Sequence, residues 1–104
     1  MKYLIVLAVL LSSVVQANWD GATREKITAI EVTAEGNYAF RVHLSGSPVL
    51  CGNSNKWAYL NKSDSNYETY VSLLTAAKFA RSEVTIYANQ SSNGFCKIGH
   101  ITIH

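Results

Sequence analysis

Cys51 and Cys96 are the only cysteines in a chain of 104 residues, and the first seventeen of those residues read as an export signal. Met1-Lys2 gives a short positive start, and Tyr3 to Leu11 is an almost unbroken apolar run. Ser12, Ser13 and then Val15-Gln16-Ala17 place short side chains where a signal peptidase reads, so cleavage after Ala17 would leave Asn18 first. The apolar run falls short of the roughly 20 residues that span a bilayer. Residues 1–17 are therefore expected to be a cleaved signal peptide, and residues 18–104 a single secreted or periplasmic domain. The 87 residues left are too few for two ordinary domains and bury a thin core. In an oxidising compartment an isolated pair of cysteines reads as one disulfide. Closing a loop of this length contributes about 4 kcal/mol in chain-entropy terms.

Charge excludes one partner class. The chain carries 9 Lys+Arg and 7 Asp+Glu, and loss of Lys2 leaves 8 against 7, a net charge of +1. The signs are interspersed, with no basic stripe to neutralise phosphates, so nucleic acid is not an expected partner. No later segment is apolar enough to insert in a membrane.

Along the chain, residues 18–26 are polar around Trp19 and read as an irregular arm. Strand character begins at Ile27, with Ile30, Val32 and Ala34 on one parity, and Glu35-Gly36-Asn37 marks a turn. Tyr38, Phe40, Val42 and Leu44 then alternate with Ala39, Arg41 and His43, a half-buried strand that completes a hairpin. After Ser45-Gly46-Ser47-Pro48, Trp57 to Leu60 forms a third short strand. Val84, Ile86 and Ala88 make a fourth. Cys96 to Ile103 makes a fifth, with an irregularity at Gly99 because Ile98 and Ile101 differ in parity.

One helix lies between the third and fourth strands. Tyr67, Tyr70, Val71, Leu74 and Ala77 recur at helical spacing as one apolar stripe. Ser65-Asn66-Tyr67-Glu68 has the form of a capping box, and Lys78 and Arg81 suit the negative end of the helix dipole. Phe79 falls on the face opposite Leu74 and is a candidate interface contact. The order β-β-β-α-β-β is that of the OB-fold, so the expected fold is mainly β with one helix, an OB-like five-stranded barrel.

Catalytic and metal chemistry find little support. His43, His100 and His104 would need further ligands for a zinc site, and both cysteines are better used in the disulfide. No Gly-x-Ser-x-Gly motif occurs, and the acids fall in turns and at the helix start. No catalytic residue, metal or cofactor is expected. Aromatic residues are richer. Parity assigns Tyr38, Phe40, Tyr67 and Tyr70 to the core. Trp19, Trp57, Tyr59 and Tyr87 are candidates to offer a flat face to a sugar ring beside Asn and Ser hydrogen-bonders. Asn61-Lys62-Ser63 and Asn89-Gln90-Ser91 match the glycosylation acceptor pattern.

The segment from Cys51 through Trp57, the helix with Leu74-x-x-Ala77-x-Phe79, and Val84-Thr85-Ile86-Tyr87 resemble the B subunits of subtilase cytotoxin and typhoid toxin. The N-terminal arm, with Trp19 before Gly21, is similar too. Ser82 stands where those proteins would have a glycine after the helix, and none of their sugar-binding residues maps onto a position here. The resemblance implies a secreted OB-fold subunit, a homo-oligomer of pentameric type that binds sialylated cell-surface glycans. Two other readings remain: a monomeric secreted module that binds a protein partner, such as an inhibitor or adhesion factor, and a small hydrolase.

Overall fold

A computed structural model describes residues 18–104, so the expected signal peptide lies outside the described residues. Five strands and one helix follow in the order β1 (Gly21–Val32), β2 (Phe40–Leu44), β3 (Trp57–Leu60), α1 (Tyr67–Ala80), β4 (Glu83–Gln90) and β5 (Cys96–Ile103). The strands form one sheet in the order β1-β2-β3-β5-β4, which closes on itself because β4 also pairs with β1. All contacts are antiparallel except β3 with β5, a parallel seam with only Ala58↔Cys96 and Tyr59↔Lys97 in register. The Cys51–Cys96 disulfide ties this seam to the loop before β3, with a Cα separation of 5.5 Å. The covalent bond thus sits where the hydrogen-bonded ladder is shortest.

β1 corrects the expected irregular arm, because it begins at Gly21 rather than Ile27. Its first half pairs with β4 from Gly21↔Ala88 to Lys26↔Glu83, and its second half pairs with β2. The alternation was invisible because the inward positions carry Gly21 and Thr23, which pack against the 49–51 loop. A Cβ on Gly21 would run into the Leu50 carbonyl, so only glycine lets the two backbones meet. Parity in β1 also needs correction. A register shift between Ile27 and Ala29 lets Ile27 and Ile30 both turn inward, while Val32 is 70% exposed and Ala34 is exposed.

The core is built from the inward positions of the ring: Phe40, Val42 and Leu44 of β2, Ala58 and Leu60 of β3, Val84, Ile86 and Ala88 of β4, and Ile98 of β5. Gly99 is the extra residue of a bulge, since Ala88 faces Ile98 but Tyr87 faces His100. That bulge lets Ile101 rejoin the core side, as the sequence pattern required.

Leu74 and Ala77 of α1 are buried in this core, with Tyr67, Tyr70 and Val71 packed around them. The helix contacts β1, β4 and β5. The capping box does not form. Asn66 occupies the cap with φ 61° and makes no side-chain cap bond. The reason lies one turn earlier, where the Asp64 carboxylate accepts the Asn61 amide at 2.7 Å and the Lys97 ammonium at 2.7 Å. That turn delivers the chain to the helix in a left-handed conformation, with the Tyr67 amide bonded to the Asp64 carbonyl. At the other end Arg81, also left-handed (φ 59°), closes the helix, and the Ser82 amide reaches back to the Ala77 carbonyl at 3.0 Å.

Candidate functional site

Inward placement of Phe40, Val42 and Leu44 forces Arg41 and His43 to the outside of the ring, and the pairing of β2 with β3 sets Tyr59 and Trp57 beside them. On this outer face four aromatic rings meet. Tyr38 packs edge-on against Tyr59 at 4.7 Å, Phe95 at 4.8 Å and Trp57 at 6.3 Å between centroids. Phe95 stacks on Trp57 at 4.8 Å and an interplanar angle of 26°. Parity had assigned Tyr38 to the core; it instead precedes β2 and stands outside the core cluster.

Tyr38 holds a conformation that side chains rarely adopt, φ 65°. Three bonds impose it. Its amide donates to Asn61 Oδ1 at 2.8 Å, its carbonyl accepts Arg41 Nε at 2.8 Å, and its hydroxyl accepts Asn93 Nδ2 at 2.6 Å. Backbone strain in a bulky residue persists only where surrounding contacts over-determine it, and such residues gather at functional sites.

The Arg41 guanidinium lies 4.4 Å from the Trp57 ring centroid. It arrives from β2, whereas Phe95 arrives from the β5 side, so Trp57 is flanked by both. The guanidinium is held there by its Nε bond to the Tyr38 carbonyl. His43 pairs with Glu31 at 2.7 Å beside it. The Glu31 carboxyl is held below the usual carboxylate range, first by the His43 hydrogen bond, then by the His43 charge, with a smaller pull from Arg41. The neighbouring loops are drawn in by Asn53 and Asn55, whose side-chain amides both donate to the Gly94 carbonyl at 2.7 Å.

A second aromatic group lies on β4 and β5. Tyr87 and His100 are register partners 4.9 Å apart, and Trp19 tilts over them at 5.8 and 6.3 Å. Tyr70 donates its hydroxyl to the Gly99 carbonyl at 3.1 Å and borders a shallow hollow with Leu73, His100 and Ile101.

The four aromatic candidates thus divide between two places: Trp57 and Tyr59 on β3, Trp19 and Tyr87 on β4–β5. Trp57 is half-buried, and Tyr59 is only 3% exposed beneath Tyr38, so it supports the surface rather than forming it. Phe79 belongs to neither group and projects from α1, 81% exposed. Sequence reasoning missed Arg41, Phe95, Asn93 and His100 as members. Arg41 had one legible signal, its parity opposite to Phe40 and Val42; Phe95 and Asn93 come from a loop with no periodicity. Both glycosylation-pattern asparagines have structural bonds: Asn61 accepts from Tyr38, and Asn89 Oδ1 accepts the Asp20 amide at 2.8 Å. Among the described residues no group of three or more His, Cys, Asp or Glu side chains is gathered to hold a metal ion. Among the described residues no helix is long and apolar enough to cross a membrane. No family model, curated protein or solved structure matches this chain.

Proposed function

We propose that this chain is an exported, OB-like binding subunit whose outer aromatic surface around Trp57 takes a cell-surface glycan. The ring order β1-β2-β3-β5-β4, the parallel β3–β5 seam and the helix between β3 and β4 support the OB-like reading. A disulfide at the weakest seam is compatible with an oxidising compartment.

The observation that carries the glycan reading is the strained Tyr38, held by three hydrogen bonds so that its ring braces Phe95 and Trp57 on the solvent side. Aromatic edges flanked by Arg41, Asn93 and other amides suit a ring that is apolar on its faces and hydroxylated at its rim. A site this shallow binds weakly by itself, and repetition in a homo-oligomer raises avidity by about 10²–10⁴. One observation favours a second reading. Trp, Tyr and Arg packed together are the residue types of protein-binding hot spots, and Arg41 over Trp57 forms such a group. In that reading the subunit is a monomeric module for a protein partner.

Residues 18–104, displayed multivalently on an array of neutral and sialylated glycans, test the first reading. Binding lost in Trp57→Ala and kept in Trp19→Phe supports it. No binding to any glycan removes it and leaves the protein partner.

A further inference from the structure

We infer that Glu31 is a two-position switch between His43 and Arg41 that makes the aromatic surface around Trp57 pH-sensitive. The switch acts on the surface proposed above as the binding site, and its readout needs no ligand.

The pairing of β1 with β2 sets Glu31 directly opposite Arg41, whereas His43 stands opposite Ala29, one diagonal step away. Directly opposite side chains start about 4.5–5.5 Å apart at Cβ, and diagonal ones about 7–8 Å apart. Arginine carries its charge at any ordinary pH, and its planar fork matches a carboxylate. Glu31 nevertheless bypasses Arg41 and bonds His43 Nε2 at 2.7 Å. Arg41 is turned the other way. Its Nε donates to the Tyr38 carbonyl at 2.8 Å, and its guanidinium lies 4.4 Å from the Trp57 ring centroid. Glu31 and Arg41 also line one hollow of about 200 Å³ with Val32, Thr33 and Ala39, so the carboxylate and the guanidinium have open space in which to meet.

The charge on His43 decides between the two partners. As an imidazolium it gives Glu31 a cation of its own and leaves Arg41 to Tyr38 and Trp57. A neutral imidazole offers only an ordinary hydrogen bond, roughly half as strong as a charge-assisted one. The guanidinium directly across the ladder then becomes the stronger partner. Glu31 draws it over the hollow, off the Trp57 ring and away from the Tyr38 carbonyl. Imidazoles ordinarily change charge between about pH 5 and 8. The other titratable groups around this patch are the phenols of Tyr38 and Tyr59, packed edge-on at 4.7 Å, and the exposed ammonium groups of Lys26 and Lys56.

Trp57 emission in a Trp19→Phe background, followed from pH 5 to 8.5, tests the switch. The expected result is one transition, in which the emission maximum moves to the red as the pH rises and the indole face opens to water. Its midpoint should coincide with the His43 ring titration followed by NMR. The two partner variants should lock opposite states: His43→Gln gives the high-pH emission throughout, and Glu31→Gln gives the low-pH emission throughout. A transition that survives Glu31→Gln would mean that the imidazolium acts on the indole directly, and the switch would fail. No transition at all would also sink it. The Trp57 indole N–H resonance follows the same change in the unmodified protein, independently of the Trp19 substitution. An intact transition without glycan binding at any pH would count against the ligand reading alone.

Discussion

The indole of Trp19 lies across Gly99, so close that a Cβ on that glycine would sit 2.8 Å from Trp19 Cη2. The bulge at Gly99 therefore does two things: it returns Ile101 to the core side, and it opens a notch that seats the N-terminal arm. Asp20 secures the same arm by exchanging bonds with β4, accepting the Gln90 amide and donating to Asn89, each at 2.8 Å.

Gly99→Ala is expected to unseat Trp19 at a cost of about 1–3 kcal/mol, the usual range for forcing a methyl into a packed site. In a Trp57→Phe background the remaining tryptophan emission should shift to the red as the indole meets water. An unchanged melting midpoint with unchanged emission would mean that Trp19 does not occupy the notch.

Leu74 faces the core with no exposed surface, so Leu74→Ala should cost about 2–5 kcal/mol. Glu31→Ala, on the outer side of β1, should leave the denaturant midpoint close to that of the unmodified protein, because exposed ion pairs contribute little. Similar losses for both variants would refute the assigned faces.

Arg81→Gly should stabilise by about 0.5–1 kcal/mol, since glycine adopts the left-handed helix end without the side-chain penalty. Ser82→Gly should bring no such gain, because Arg81, and not Ser82, has the positive φ. Chemical denaturation of the two variants side by side separates them, and a higher midpoint for Ser82→Gly would contradict the helix end described above.

Lys97 links β5 to the turn before α1, and its bond to the Asp64 carboxylate raises its pKa above the ordinary lysine value. The folded state thus holds this proton more tightly than the unfolded chain. The stabilisation is full below about pH 10.4, the unfolded value, and is lost as the pH rises through the folded value. Stability of the unmodified protein should fall across that alkaline window, and Lys97→Met should remove this part of the slope. An identical slope in both proteins would show that the pair does not form.

Much of the fold was legible because periodicity encodes it directly. Phe40, Val42 and Leu44 alternate, Trp57 to Leu60 and Tyr67 to Ala80 occupy the predicted segments, and the parity break between Ile98 and Ile101 located the Gly99 bulge. The disulfide followed from an isolated pair of cysteines in a short chain. The first half of β1 was not legible, because Gly21 and Thr23 bury against backbone rather than in an apolar core. The candidate surface was half legible: Trp57 was named, but its neighbours Arg41, Phe95 and Asn93 come from separate segments.

By itself, then, the amino-acid sequence determined the element order, the core faces of β2, β4 and α1, and the covalent staple, since these depend on local spacing and residue type. Tertiary structure alone decided that β1 bends across two partners, that Asp64 sets the helix start in place of a capping box, and that Tyr38 leaves the core for the outer aromatic group. The first depends on the pairing of β1 with both β4 and β2, and the other two on bonds between distant residues, Lys97 with Asp64 and Tyr38 with Asn61 and Asn93, set against a local capping preference worth about 1 kcal/mol.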